Sequence, residues 1–408
     1  MSFGSGGVDD VPVGLTEGEM TVVAGGNSAG AVLRAVLGQG TAPRSEIARL
    51  AGLSPATVTT QVRALRTAGL LTELPETAGP AGMGRPHSPL MLNVAGNVVI
   101  GVHIAAEHTT VAVLDIAGAV RLSHRVPHIS LDPDAILAAA AAEVCRLRGE
   151  LTERVLGLGV AIGGWVDTSA GAVVDHGTLP WRNVAVRQYL SDETGLPVTL
   201  DSHTRALVHA EQLFGHARDA AATVVLFAGN VIDVAFAVHG RVHYGPRSAA
   251  GAITRLVAGE SAESALAECA DRALVARAQR ASLPVRGLRD LIEVAGWDET
   301  AQALFVERAT VLGRVVAVVI DLLDPDAVVI VDPALVRVPG VRATYLDAVR
   351  RFSACERPEE VITGSSFLGH ALETAAGTVV LQQLFTDPLS VVTAAAPGEV
   401  TPLSDARL

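Results

Sequence analysis

The sequence predicts an α/β protein in which a small helix-rich module precedes a large domain made of two similar lobes. The first observation is a change of pattern near residue 97, where short amphipathic helices give way to apolar strands. The second is a repeated plan of three strands joined by tight turns, at 97–126 and again at 223–245. With 408 residues, the chain is long enough for two or three domains with cores of their own.

Composition and charge exclude several classes of protein. The chain is 49% hydrophobic, yet it has no signal-peptide pattern at its start and no uncharged run long enough to span a bilayer. Cys145, Cys269 and Cys355 have no paired spacing, which argues against a disulfide framework and a zinc knuckle. We therefore expect a cytoplasmic protein with no metal and no membrane partner.

Charge is distributed unevenly along this chain, whose net charge is −12. Residues 27–92 hold six arginines against three glutamates and form a locally basic module. A helix around Val32–Leu37 should stop at the following Gly-Gln-Gly, a second should run from Arg44 to Ala51, and a third from Pro55 to Ala68.

The third helix has the two faces that a DNA-reading helix needs. Val58, Val62 and Leu65 share an apolar face, and the opposite face carries hydroxyl and arginine side chains that can bond base edges and phosphates. Ser54 is a suitable N-cap for this helix. The candidate DNA-contacting residues are Ser54, Thr57, Thr59, Thr60, Gln61 and Arg63.

Two short strands, "GLLTEL" and "SPLMLN", should follow this helix, with a Gly/Pro-rich loop between them that carries Arg85. Three helices followed by such a hairpin predict a winged helix-turn-helix, in which Arg85 would enter a minor groove. The alternative is a three-helix packing module whose polar face is merely solvated.

The large domain contains the duplicated pattern. Strands are expected within 97–126, with turns near Ala106-Glu107 and Ala117-Gly118, and a long helix should run from Pro133 to about Glu150. The segment 223–245 repeats the strand plan with its last turn at His239-Gly240. Two such lobes would face each other across a cleft, which is a common position for a ligand site.

Several long motifs resemble the ROK family of repressors, open reading frames and sugar kinases. The resemblance covers roughly Asn27 to Phe385, and it implies a two-lobed actin-like ATPase (ribonuclease H-like) fold behind the winged helix. The motifs are "GRP" (84–86), "GLGVAIGGWVD" (157–167), "LPWRNVAVRQYLSDETGLPV" (179–198), "DLLDPDAVVIV" (321–331) and "LGHALETAAGTVVLQQLF" (368–385).

This resemblance implies a division of the chain into five segments. The expected segments are a disordered tail (1–26), the winged helix-turn-helix (27–93), a small lobe (97–220 plus about 368–386), a large lobe (221–367) and a weakly ordered tail (387–408).

The ATP-binding positions of the family's kinases are altered at three places. The Asp-x-Gly-Gly-Thr loop of the first hairpin is here "HIAAE", with His103 at the Asp position and Glu107 at the Thr position. The glycine-rich loop of the second hairpin contains Asp233 and Val234, and a later Gly-Gly is replaced by Val331-Asp332. The resemblance therefore implies a domain that has lost phosphoryl transfer and needs no nucleotide cofactor.

The catalytic and sugar-binding positions also differ. The Asn-Asp pair of the kinases aligns with Ser202 and His203, and the sugar-binding Glu and His align with Ala252 and Arg255. Of the cysteines in the family's zinc motif only Cys269 stands here, so no zinc is expected.

Asp201-Ser202-His203 lies where a strand gives way to a helix, and three interpretations remain open. Adjacent side chains point in different directions and cannot form a hydrolase triad, and His203 as a kinase base would lack a phosphoryl donor. Asp201 or Ser202 would cap the helix in one interpretation. In another, the candidate effector-binding residues Asp201, Ser202, His203 and Arg255 line a remodelled pocket.

The sequence as a whole predicts a DNA-binding transcriptional regulator, a repressor in the sense of this family, and not an enzyme. Expected partners are a pseudo-palindromic double-stranded DNA operator, a sugar or oligosaccharide effector, and further copies of the chain in a homodimer or a dimer of dimers. One alternative is an active sugar kinase that also binds DNA. A further alternative is a dimeric DNA-binding scaffold with no ligand.

Overall fold

A computed structural model describes residues 26–75, 88–176, 178–253 and 268–395. The helices are Ser28–Gln39 (α1), Arg44–Ala51 (α2), Pro55–Thr67 (α3), Pro133–Glu150 (α4), Val186–Thr194 (α5), His203–Phe214 (α6), Asp271–Arg280 (α7), Leu288–Val294 (α8), Glu299–Leu323 (α9), Ala334–Arg337 (α10), Val341–Phe352 (α11), Pro358–Val361 (α12), Ala371–Thr386 (α13) and Pro388–Ala394 (α14).

The strands fall into four sheets. They are Thr41–Ala42 (β1), Leu71–Glu73 (β2), Leu90–Leu92 (β3), Asn97–Ile104 (β4), His108–Asp115 (β5), Val120–Pro127 (β6), Arg154–Ile162 (β7), Trp165–Asp167 (β8), Ala172–Asp175 (β9), Arg182–Val184 (β10), Val198–Ser202 (β11), Thr223–Ala228 (β12), Ile232–Val238 (β13), Arg241–Val242 (β14), Ala327–Val331 (β15) and Ile362–Gly364 (β16).

The described part of the N-terminal module combines three helices with a short β-hairpin. Helices α1–α3 pack on a small antiparallel sheet of order β1-β3-β2. The predicted bounds of α2 and α3 agree with the structure to within one residue. Strand β1 was not predicted, because two residues are too few to show a strand pattern. The loop between β2 and β3, with Arg85, lies outside the described residues.

The two lobes share one sheet topology, which confirms the predicted duplication. The first lobe has the order β11-β7-β4-β5-β6, and the second has β14-β13-β12-β15-β16. In each, the first strand pairs antiparallel with its hairpin partner and parallel with a later strand. This mixed five-stranded order is that of a ribonuclease H-like lobe. The first lobe also carries a separate sheet, β10-β9-β8, which the sequence did not reveal.

Helix α13 joins the first lobe to the N-terminal module. It crosses the first-lobe sheet so closely that a Cβ at Gly159 would lie 2.1 Å from the carbonyl oxygen of Ala376. At its other end a Cβ at Gly30 of α1 would lie 2.5 Å from the carbonyl oxygen of Phe385. Leu33 of α1 and Leu384 of α13 belong to one continuous hydrophobic core. The module is therefore packed on the lobe and does not hang from a linker.

Part of the C-terminal segment differs from the expectation. We predicted weak order from residue 387 onward, but Pro388–Ala394 forms helix α14. Asp387 caps this helix by accepting a hydrogen bond from the amide of Ser390. Val391 and Val392 pack on the core that α1 and α13 share. The Asp-Pro pair is typical of a helix start and indicates this helix, whereas the composition of the segment does not.

The helices of the described ranges differ in length from four to 25 residues. None of those helices combines the length and the apolar character needed to cross a bilayer.

Candidate functional site

The six described candidates for DNA contact lie on α3 or at its N-cap, at exposed or half-buried positions. Ser54 caps the helix, accepting a hydrogen bond from the Thr57 amide at 3.1 Å. The hydroxyls of Thr59 and Thr60 donate to the carbonyls of Pro55 and Ala56, one turn earlier. These hydroxyls therefore keep only acceptor capacity for a partner molecule.

Gln61 and Arg63 differ from these hydroxyl residues. Both side chains project from α3 without a hydrogen bond or ion pair to any residue that the structure describes. Arg63 is exposed, and Gln61 is half-buried. Their donors are free for a ligand.

Arg66 is one turn further along α3 and has a fixed partner. Its guanidinium lies 2.5 Å from a carboxylate oxygen of Glu73 on β2, and Arg44 pairs with the other oxygen at 2.9 Å. Glu73 thus neutralises part of the positive charge at this end of the helix. Of the two arginines on α3, Arg63 is the one with no partner among the residues that the structure describes.

The C-terminal end of α3 is fastened to the first lobe. Arg154 of β7 donates to the carbonyl of Ala68 at 2.8 Å and to the side chain of Asn97. Asn97 and Asn93 each donate to the carbonyl of Gly69 at 2.8 Å. These bonds satisfy the carbonyls of the C-cap residue Ala68 and of Gly69, which directly follow the helix. The orientation of α3 therefore follows that of the lobe.

The Asp201-Ser202-His203 segment lies at the junction of β11 and α6, as predicted. Ser202 is the N-cap of α6 and accepts a hydrogen bond from the Arg205 amide, which confirms the capping interpretation. Asp201 accepts from Arg205 Nε at 2.6 Å and from the Tyr244 hydroxyl at 2.9 Å. Both of its carboxylate oxygens are thus occupied.

Arg205 extends this buried ion pair across the cleft. Its Nη2 donates to the carbonyl of Val166 in the first lobe, and its Nη1 donates to the carbonyl of Ser248 beyond β14. The guanidinium also lies 4.9 Å from the ring centre of Tyr244. Asp201 and Arg205 therefore act as a clamp between the lobes.

His203 is buried among apolar and imidazole rings. Its ring centre lies 4.3 Å from that of Phe227 on β12 and 5.7 Å from that of His103 on β4. Neither ring nitrogen has a hydrogen-bond partner among the described residues. Burial, with the nearby His176 and Arg205, lowers the pKa of His203 to about 3. The imidazole is therefore neutral at pH 7, and its burial makes it a weak base.

The second hairpin fills the space opposite His203. A Cβ at Gly163 would lie 3.0 Å from His203 Cε1 and 3.1 Å from a methyl of Val231 in the β12–β13 turn. Burial raises the pKa of Asp233 to about 6, against a hydrogen bond from the Gly164 backbone. Apolar side chains and a carboxylate thus line this turn, a poor surface for a phosphate group.

A second buried ion network lies behind this turn. Arg308 of α9 donates to Asp271 at 2.7 Å and to the carbonyl of Ala228, and its Nε lies 3.5 Å from Asp332. Asp332 also accepts a 3.3 Å hydrogen bond from the Tyr345 hydroxyl. The network joins the ends of β12 and β15 to α7 and α9.

Comparisons with known proteins place this geometry in a family. The family model described as "ROK family" matches residues 99–341. A Mycobacterium tuberculosis protein named as a transcriptional regulator is 32% identical over 387 residues, which cover 90% of this chain and 87% of the relative. The chain belongs to the ROK family.

Two solved ROK structures have the same fold. One is a ROK family transcriptional regulator described as a homologue of the Escherichia coli MLC protein, with a TM-score of 0.74, 21% identity, and coverage of 90% of this chain and 98% of the other. The other is a Streptomyces griseus ROK family glucokinase in complex with glucose and AMPPNP, with a TM-score of 0.62, 19% identity, and coverage of 69% and 98%.

Within the ROK fold, sequence reasoning found the junction but missed its partners. Arg205, Tyr244 and Arg308 were assigned no role, although they hold Asp201 and Asp332 in place. The i,i+4 spacing of Asp201 and Arg205 was a usable signal for the first pair. Nothing in the sequence joins Arg308 to carboxylates that lie 24 and 37 residues away.

Two further predictions concern the effector-binding residue Arg255 and the absence of a metal site. Arg255 lies outside the described residues. Across the described ranges, no group of three or more His, Cys, Asp or Glu side chains is arranged to hold a metal ion.

Proposed function

We propose that this protein is a sequence-specific DNA-binding transcriptional regulator whose kinase-like domain does not transfer phosphate. The observation that carries the proposal is the exposed polar face of α3, on which Gln61 and Arg63 have no partner among the described residues. Free donors on an exposed helix of a winged module suit base edges in a major groove. The named regulator that matches 90% of the chain supports the same conclusion.

The cleft supports the loss of phosphoryl transfer. His203, which aligns with the catalytic Asp of the kinases, is buried and neutral at pH 7. Phe227 packs against the ring of His203, and Val231 and His203 both lie close to Gly163. Asp332, at one of the altered glycines, belongs to an ion network with Arg308. A kinase would need these positions for a base and for nucleotide contacts.

Recognition of DNA would use two copies of the chain. A dimer, or a dimer of dimers, would place two α3 helices about 34 Å apart on a pseudo-palindromic operator. Contact with chromosomal DNA requires a cytoplasmic protein, which we infer here. Because α3 is fastened to the first lobe by Arg154, a change in lobe orientation would change the spacing of the two helices.

Selection from random duplex DNA tests the regulator proposal. The full chain is incubated with a random library at fixed salt, and the bound fraction is sequenced over several rounds. We expect enrichment of two related half-sites about 10 bp apart, centre to centre. A bound fraction with no enriched sequence would overturn sequence-specific recognition.

Two further assays separate the alternatives. Release of ADP with a panel of hexoses should not exceed background, and turnover that His203→Ala abolishes would restore the kinase alternative. A thermal-shift screen with sugars and oligosaccharides tests the effector, since a ligand of the folded state raises the melting temperature with its concentration. A flat response across that panel would favour a ligand-free scaffold.

A further inference from the structure

Two adjoining cavities lie on the side of the first lobe that faces α14, away from the cleft. The first has a volume of about 380 Å³ and lies between β7, β11, α13 and α14. The second has a volume of about 580 Å³ and lies between α4, α5, β7 and the end of α14. Both have Pro197 and Ala394 in their walls, so they meet at this point.

The first cavity has a mainly apolar wall. Leu156, Val380 and Val391 line it together with Pro197 and Ala394. Polar residues of α13 and α14 stand at its edge, and one of them, Gln383, is already bonded to Thr199 at 3.1 Å. Its size falls within the roughly 300–1,000 Å³ typical of small-molecule sites. Such a wall favours the hydrocarbon part of a ligand.

The second cavity has a positively charged wall. Arg148 and Arg154 both line it, against the single carboxylate of Glu153. Glu153 is engaged by Arg121 at 3.0 Å. Arg148 uses only Nη1, on the carbonyl of Thr194, and its other donors have no partner among the described residues. Guanidinium donors of this kind bind carboxylate or phosphate oxygens.

We propose that the two cavities together bind a small amphipathic anion, with its hydrocarbon chain in the first cavity and its anionic head at Arg148 and Arg154. The order of apolar and cationic walls along the joined space determines this orientation. Because Arg154 also holds the carbonyl of Ala68 at the end of α3, the bound head group would lie beside the attachment of the DNA-reading helix. Binding itself does not rest on the proposed function and is measured without DNA.

Calorimetric titration of the full chain with octanoate tests the site, and 1-octanol of the same chain length tests the head group. We expect octanoate to bind at least about tenfold more tightly than 1-octanol, since charge-assisted hydrogen bonds are lost with the alcohol. Arg148→Gln should weaken octanoate binding by a similar factor. Arg146→Gln, on the same helix but outside the walls, is its matched control.

A second pair of variants tests the position of the chain. Ala394→Trp places an indole where the cavities meet and should abolish octanoate binding. Thr393→Trp, one residue earlier on α14 and in neither cavity wall, should leave it within about twofold of the wild type. Folding is intact if both variants melt at the same temperature as the wild type. No binding to the wild type, equal binding of octanoate and 1-octanol, or undiminished binding to Ala394→Trp would each overturn the proposal.

Discussion

Arginine side chains behave in opposite ways in the winged module and in the second lobe. Arg63 stands on the exposed face of α3 and has no partner among the described residues. Arg308 is 1% exposed and lies among Asp271, Asp332 and the carbonyl of Ala228. An exposed charge without a partner contributes little to folding, whereas a buried charge requires its partners.

This difference separates recognition from architecture in a chain whose basic residues are all arginine. Substitution of an exposed, unpaired arginine should alter binding and leave stability nearly unchanged. Substitution of a buried, paired arginine should alter stability and leave the exposed face of α3 unchanged. Two arginine substitutions test this rule, and a histidine substitution extends it to a buried group without partners. They follow in order of decreasing expected effect on free energy.

The largest effect is expected for Arg308→Met. Removal of the guanidinium leaves the buried Asp332 and the half-buried Asp271 without their cationic partner, which should lower the free energy of unfolding by about 3–5 kcal/mol. Urea unfolding followed by circular dichroism measures this loss. Arg314→Met on the same helix removes an arginine that lies over the ring of Phe352, and should cost about 1 kcal/mol or less.

The pH dependence of the Arg308→Met loss gives a second check. Burial raises the pKa of Asp271, and Arg308 opposes that rise in the wild type. Without Arg308 the carboxyl takes up a proton more readily, so the deficit should shrink as the pH falls from 7 to 5. A deficit below about 1 kcal/mol at pH 7 would show that the network is not required for folding.

A smaller effect, on binding alone, is expected for Arg63→Ala. Loss of a base contact should weaken operator binding by about 1–3 kcal/mol, and binding to random DNA by less. Arg66→Ala is the matched control, because Arg66 is already paired with Glu73. Its loss should change the free energy of operator binding by about 1 kcal/mol or less. Fluorescence anisotropy with a selected operator and a scrambled duplex at one salt concentration measures both.

Two outcomes would contradict the assignment of Arg63. Equal losses on operator and scrambled DNA would make Arg63 a phosphate contact with no role in specificity. A change of more than about 0.5 kcal/mol in the free energy of unfolding would mean that Arg63 has a structural role.

The comparison also shows what a sequence can predict. Features that depend on neighbours along the chain were predictable: the bounds of α2 and α3, the Ser202 cap and the strand–turn plan that both lobes repeat. Their causes are local, namely helical periodicity, cap chemistry and turn glycines. The polar face of α3 follows from the same periodicity.

Features that depend on distant pairs were not predictable. The contacts of Arg308, the bond from Tyr244 to Asp201 and the docking of α1 against Phe385 join residues 24 to 355 positions apart. No single side chain indicates such a partner. The junction of β11 and α6 was therefore located correctly in the sequence, while the use of its polar groups as a clamp between the lobes emerged only from the structure.

The smallest effect at pH 7 is expected for His203→Leu. Neither ring nitrogen of His203 has a hydrogen-bond partner among the described residues, and Leu has a similar volume. The free energy of unfolding at pH 7 should therefore change by about 1 kcal/mol or less. This outcome distinguishes His203 from Arg308, which is also buried but pairs with two carboxylates.

Acid conditions should separate the wild type from His203→Leu. The folded pKa of His203 is about 3, because burial disfavours its charged form, whereas an unfolded histidine has a pKa of about 6.5. Between these values the unfolded chain binds the extra proton, so His203 costs stability as the pH falls, by about 1.4 kcal/mol per pH unit. The variant should lose that contribution, so its stability should fall less steeply between pH 6 and 4.

Other titrating groups of the cleft do not affect this comparison. The buried His176 and the raised pKa of Asp233 are common to both proteins and cancel in the difference. Equal slopes for wild type and His203→Leu would mean that His203 accepts a proton in the folded cleft, and a proton-accepting imidazole there would revive its use as a base.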